Sequence, residues 1–280
     1  MLKIIQNTKL LLDKEQNKNI FICMFAELSI ISNFTFLTGA SHPEEYMMRA
    51  ALLGLPAIAI ADVNSVTGIV RAYSAARDIK RLVKDRESKN LIGPPRPQNI
   101  KKPPSLSLDT VPRLIPGSKF KLIDGFEITV LPKSRKGWGT LCRCLSKGRL
   151  RNNKGLCDLI IGEITEELDD VVLLIHPPET PWNVEKSKLW LENSTLLKDK
   201  FNQDAYIVLT PEYDGIDPKR FKHVRKLSKI IRCDLIASAH PIMHHSKRRK
   251  LADVLTAIRL GKSVDQSGKS GLPNAEWRLG

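Results

Sequence analysis

An acid stands at the end of a run fit for a buried strand: Leu55-Pro-Ala-Ile-Ala-Ile-Ala-Asp62, with an amphipathic stretch following at once. Parallel strands buried on both faces read this way, and α/β folds keep their chemistry at the C-terminal ends of such strands. A carboxylate there can hold a divalent ion or take up a proton. Read alone, Asp62 serves equally well as a helix N-cap. His240, His244 and His245 form a second group. Imidazoles four apart share a metal on a helix, but Pro241 makes this segment a strand-to-helix loop, where hydrogen-bonded or solvent-facing histidines are the plain reading. Glu127 falls in a hairpin strand and reads as a solvated face residue. Asp214-Gly-Ile-Asp217 with Pro218 reads as a turn and helix start. GxxxxGK[ST] and GxGxxG loops are both missing from the sequence, so the common phosphate cradles are excluded.

The elements that must position these groups alternate. Ser41-His-Pro-Glu44 has the pattern of a capping box, with helix to about Leu53 and Gly54 as its stop. Strand Ala57–Ala61 and a helix from Ser65 to about Arg86 follow. A Pro-rich basic connection covers Leu91 to Pro116, with Pro-Pro-Arg-Pro and Lys-Lys-Pro-Pro inside it; such composition favours extended chain over packing. Asp124-Gly125 between two apolar runs is a hairpin signal. A helix near Trp138–Lys147, strand Val171–Ile175, helix Trp182–Leu197, strand Tyr206–Leu209, helix Lys219–Ile231, strand Leu235–Ala239 and helix Lys247–Leu260 complete the series. Alternation of this kind predicts parallel βαβ units, though periodicity alone leaves a barrel and an open sheet both open.

The Leu55–Tyr73 stretch, with Glu27-Leu-Ser-Ile-Ile-Ser-Asn-Phe-Thr-Phe-Leu-Thr-Gly-Ala-Ser41 before it, resembles the start of a PHP domain, the metal-hydrolase-like module at the N-terminus of bacterial C-family DNA polymerases. Gly137-Trp-Gly-Thr-Leu-Cys-Arg-Cys-Leu-Ser-Lys147, Leu251-Ala-Asp-Val-Leu-Thr-Ala-Ile-Arg-Leu-Gly261 and Pro273-Asn-Ala-Glu-Trp-Arg-Leu279 resemble the error-prone branch of that family. The resemblance implies a PHP-type (β/α) barrel of about seven strands. It divides the chain into an extension over 1–23 outside the fold, a PHP-like domain over 24–245 with an insertion at about 88–116, and the start of a polymerase core over 246–280. Leu272 and Trp277 are then expected to stand exposed, for want of that core.

Within the resemblance, the ligand positions are largely vacated. The family's His-x-His reads Ser29-Ile30-Ile31, its Asp-His reads Asp62-Val63, its acid after Gly-x is Lys119, and its Asp-x-His reads His240-Pro241-Ile242. Asp62 and His240 survive as vestigial positions, too few for a site of several ions. Lys119 opposes a cation by Coulomb repulsion besides failing to coordinate. No catalytic residue, metal or cofactor is therefore expected. The Mg2+-dependent polymerase chemistry of the family needs an Asp-rich palm that these residues lack. The implied role is that of the PHP portion of an error-prone DNA polymerase acting in damage tolerance. A divergent metal-dependent phosphoesterase or nuclease using Asp62, His240 and His244 is the rival.

The net charge of +15 points to a polyanionic partner. Lys133 to Lys154 carries eight cations and no acid, and Lys219 to Lys250 has Asp234 as its only acid. Such runs neutralise phosphates. Arg143, Lys147, Arg149 and Arg151, near Trp138, are the candidate DNA contacts, against the plainer reading of a solvated helix face. The other expected partners are the polymerase core and replication or repair proteins. Five cysteines without CxxC spacing argue against zinc and disulfides. No apolar run reaches membrane-spanning length, and a cytoplasmic protein with reduced thiols is expected.

Overall fold

The computed structural model describes residues 25–88, 111–178, 184–268 and 271–280. The expected extension at 1–23 and most of the Pro-rich insertion lie outside these residues. A short parallel sheet comes first: β1 (Glu27–Ile30), β2 (Ala57–Ile60) and β3 (Arg113–Pro116) in that order. The second sheet runs β4 (Ser118–Lys121), β5 (Glu127–Pro132), β6 (Val171–Ile175), β7 (Ala205–Leu209) and β8 (Asp234–Ala237). Its first two pairings are antiparallel and the last two parallel. The β4–β5 reversal is the predicted Asp124-Gly125 turn, where Gly125 takes a φ of 83° that other residues resist. The eighth strand relative to expectation is β3, four residues that follow Pro112 and end on Pro116, at the end of the expected insertion.

The two sheets share one interior. Leu28, Ala57, Ala59 and Ile115 from the first meet Leu131, Val172, Leu174, Tyr206, Val208 and Ile236 from the second in a single buried cluster. The alternate residues of the same strands face outward beneath helices. Because β6 and β7 are covered on both faces, they read as unbroken apolar runs. Backbone contacts close the ring: Lys119 donates to the Asp62 carbonyl (3.1 Å) at one join, and Ile31 donates to the Pro241 carbonyl (3.0 Å) at the other.

Outside the first sheet pack α1 (Pro43–Leu53) and α2 (Gly68–Ser88). Outside the second pack α3 (Arg135–Leu150), α4 (Ile161–Glu167), α5 (Val184–Phe201) and α6 (Asp217–Ile231); α7 (Arg249–Arg259) follows β8. The capping box is shifted by one residue. His42 is the cap, and Glu45 rather than Glu44 reaches back to its N–H at 2.8 Å. The Ser41 hydroxyl is spent elsewhere, on the Nδ1 and backbone N–H of His244. The C-terminal residues also depart from expectation. Leu279 is buried against β1, β2 and α1, while Leu272 and Trp277 pack on Ile31, Ala40, Ile242, Met243 and Ala252. Hydrogen bonds from the Ile242 and Leu279 backbones fix this return. The described cysteines are free thiols, and burial pushes Cys144 up to about 12.

Candidate functional site

The ends of β1, β6 and β8 and the antiparallel β4–β5 pair converge on a buried ammonium group. Lys119 Nζ lies 2.6 Å from Glu127 Oε2 and 3.3 Å from His240 Nε2. An ammonium has only protons to give, so Nε2 of His240 must accept and its proton sits on Nδ1. That Nδ1 lies 3.0 Å from Ser29 Oγ, which is 3.2 Å from Thr129 Oγ1, which in turn is 2.9 Å from His176 Nε2. With this tautomer fixed, His240 Nδ1–H donates to Ser29 Oγ; the two links beyond it can run in either direction, because each hydroxyl both donates and accepts. The rings of His176 and His240 meet edge to face at 5.4 Å.

Electrostatics agrees with this assignment. Burial, then Lys119, holds both imidazoles well below the usual histidine range. For Glu127, burial acts upward, but Lys119 and Lys121 overcome it and hold the carboxyl below its ordinary range. Beneath the cluster Glu27 is fully buried. It accepts from the backbone N–H groups of Leu28 (2.9 Å), Ser29 (3.1 Å) and Ala239 (2.8 Å) and from the Ser238 hydroxyl, tying β1 to β8. Burial raises its carboxyl despite these bonds. The strained backbone of the cluster is His240 itself, at φ 46°. A non-glycine residue there persists only when its surroundings over-determine it.

Asp62 is buried a short way off and faces the loop after β1. Its Oδ1 accepts from Ser32 N (2.8 Å) and Thr35 Oγ1 (2.8 Å), and its Oδ2 from Ser32 Oγ (2.7 Å). A Cβ on Gly68 would come within 2.6 Å of Oδ2, so only glycine lets α2 start this close. Asp62 is not an N-cap: it precedes α2 by a full turn and fastens a loop. Burial pushes its carboxyl up while the Ser32 and Thr35 bonds oppose.

The sequence model of the PHP domain matches residues 27–207. The chain belongs to the PHP domain family. The error-prone DNA polymerase of Ruegeria pomeroyi is 35% identical over 267 residues, which cover 91% of this chain and 23% of that protein. The error-prone DNA polymerase of Rhodopseudomonas palustris strain BisB5 is 32% identical over 256 residues, covering 91% and 20%. The chain thus spans less than a quarter of either polymerase, and its resemblance to the error-prone branch is borne out. An amidohydrolase from Chromobacterium violaceum superposes with a TM-score of 0.45 at 13% identity, covering 76% of this chain and 87% of that structure.

The PHP domain of this chain does not fit a metal centre. Asp62 and His240, the two positions where the resemblance implies surviving ligands, answer to different partners. His244 stands with Ser41 and Glu45 at the start of α1, so the trio a hydrolase would need is not assembled. Lys119 fills the space between Glu127 and His240, and both Glu127 oxygens are engaged by Lys119 and Lys121. Among the described residues no group of three or more His, Cys, Asp or Glu side chains is placed to share an ion.

Three members of the cluster, Glu127, Thr129 and His176, escaped sequence reasoning. Glu127, expected on a solvated face, points at Lys119. His176 was not singled out, although it follows Val171–Ile175 as Asp62 follows its own strand; the strand-end argument applied evenly would have marked it.

The basic residues of α3 are largely spoken for. Arg143 and Lys147 both reach Glu167 on α4, Arg151 reaches Glu163, and Arg149 donates to the Asn64 carbonyl. Among the described residues no helix is long and apolar enough to cross a membrane.

Proposed function

We propose that this PHP domain is the non-hydrolytic portion of an error-prone DNA polymerase, in which the Lys119 ammonium takes the place of catalytic metal. The observation that carries the reading is the Lys119 Nζ contact with Glu127 (2.6 Å) and His240 (3.3 Å). An internal cation there satisfies the remaining carboxylate and imidazole and repels a divalent ion at the same point. Its role is then to support a polymerase core during synthesis past DNA damage, in the cytoplasm and without a cofactor of its own. Leu251, Val254 and Ile258 form an exposed apolar edge on α7, which suits packing against such a core. DNA is the partner its basic faces suit; Arg143, Lys147, Arg149 and Arg151 reach phosphates only by leaving their present partners.

The test is metal analysis of the purified chain after dialysis against Mn2+ or Zn2+, with phosphatase and 3′-end nuclease assays before and after EDTA. The expected result is no stoichiometric metal and no EDTA-sensitive hydrolysis. Stoichiometric metal lost in Asp62→Ala would instead support a divergent phosphoesterase.

A further inference from the structure

The two basic runs of the sequence meet different fates in the fold. Around α3, Arg143, Lys147 and Arg151 turn onto the acids of α4, Lys136 onto Asp169, and Arg149 onto the Asn64 carbonyl. On α6 the exposed cations do not. Lys219, Lys222, Arg225, Lys226 and Lys229 are all exposed, and at 100° per residue they fall within an arc of about 120°. Arg232, also exposed, continues the row just past the helix end. The opposite face carries Arg220, Val224, Leu227 and Ile231, all buried.

The carboxylates near this helix leave the row uncompensated. Glu212, Asp214 and Asp217 converge on buried Arg220, which is 5% exposed. Asp234, the remaining acid of the run, lies past the helix at the start of β8. Among the described residues no side-chain ion pair reaches Lys219, Lys222, Arg225, Lys226, Lys229 or Arg232. Like charges at i,i+3 and i,i+4 weaken a helix, and 222, 225, 226 and 229 contain several such pairs. Among the described residues no side-chain ion pair offsets that repulsion. His223, on the flank of the row, is held below the usual histidine range by burial and then by Lys226.

We propose that the exposed face of α6 is a binding surface for the phosphate backbone of nucleic acid. The step from Lys219 to Lys229 rises about 15 Å, enough to follow about four phosphates of one strand at 3.4 Å each. A lipid surface is the poorer match, since a helix lying on a membrane turns its apolar face to the lipid, and here that face is in the core. Contacts made only to phosphates give affinity without sequence preference. The inference goes beyond the supporting role proposed above and stands whether or not the Lys119 site hydrolyses anything.

The experiment is fluorescence anisotropy of labelled oligothymidylate, and of its duplex with oligoadenylate, over a salt series from about 50 mM. Two charge-reversal sets are compared with wild type: Lys222→Glu/Lys226→Glu/Lys229→Glu on α6 and Arg143→Glu/Arg149→Glu/Arg151→Glu on α3. Far-UV circular dichroism and melting confirm that each is folded, and Lys222→Gln/Lys226→Gln/Lys229→Gln supplies a milder version. The α6 reversal should lower the single-strand log–log salt slope by about 2, at 0.7 per phosphate, and weaken binding about a hundredfold at low salt. The α3 reversal should do much less, and the neutral variant should fall between. Failure of the wild type to bind at low salt, an α3 loss as large as the α6 loss, or tighter binding to phosphatidylserine vesicles than to DNA would each overturn the assignment.

Discussion

Lys119→Met keeps the stem of the side chain and removes only the ammonium. Lys119 is 10% exposed and Glu127 23%, so the change leaves a mostly buried carboxylate facing an apolar methyl. Lys121 remains 3.4 Å from Glu127, but more than half of its side chain is in water. His240 Nε2 loses the donor that set its tautomer. Breaking a buried pair from one side costs roughly 3–5 kcal/mol, and the residual Lys121 contact places the expected loss at the low end, about 3 kcal/mol. For a chain of this size that is about 6–12 °C in melting temperature. Removing both charges should restore most of it, because an apolar replacement of a buried pair is close to neutral. The assay is urea denaturation of wild type, Lys119→Met, Glu127→Leu and the double variant, read by far-UV circular dichroism. A coupling energy of about 2 kcal/mol is expected. The pH dependence carries the same sign: a lowered Glu127 carboxyl stabilises above its ordinary 4.5 and loses that contribution as pH falls through its folded value. In Lys119→Met this acid loss should shrink. A coupling within about 0.5 kcal/mol of zero would refute the internal-cation argument.

Three further outcomes follow from the same geometry. His176 and His240 are held below 6.5 in the fold, so the unfolded chain binds more protons. The stability margin of wild type over His176→Gln/His240→Gln should therefore be full above 6.5 and shrink as pH falls, by up to about 1.4 kcal/mol per pH unit for each histidine; a margin constant from pH 7.5 to 5 would contradict the neutral assignment. Asp62→Ala strands the Ser32 N–H and the two hydroxyls that Asp62 accepts from, and should cost about 3 kcal/mol in urea melts with no change in metal content. Gly68→Ala forces a methyl to within 2.6 Å of Asp62 Oδ2. It should destabilise by about 1–3 kcal/mol, and most of that loss should disappear in an Asp62→Ala background.

The sequence disclosed the strands whose surroundings leave no choice of residue. Val171–Ile175 and Tyr206–Leu209 lie between the shared interior and the outer helices, so both of their faces must be apolar and the runs are continuous. The same reasoning failed for Arg113–Pro116, because three residues between prolines carry no period, and for Ile161–Glu167, which spans barely two turns. Within the site, Asp62 was legible because it ends an apolar run. Its purpose was not, since nothing local announces that Ser32 and Thr35 will fold back onto it. The relay from His240 to His176 was beyond reach for a plainer reason. Its links join residues 211, 100 and 47 positions apart, and only the closure of the barrel brings them together.

Lys119 marks the difference between reading a loss and seeing what replaced it. In the sequence, a cation where an acid is expected registers as a missing ligand. In the fold, its ammonium donates to His240, neutralises Glu127 and fixes the His240 proton on Nδ1, facing Ser29. Without such a group, a mostly buried Glu127 would be left to the half-exposed Lys121 and His240 Nε2 would have an unspent lone pair, each costing desolvation energy. With Lys119 present, both groups have a protein partner. Non-ligating residues at the other positions then carry no further penalty, because Glu127 and His240 are satisfied without an ion. One basic residue near the start of β4 thus gives a physical reason why Ser29 and Ile242, at positions where the resemblance implies ligands, need not be ligands.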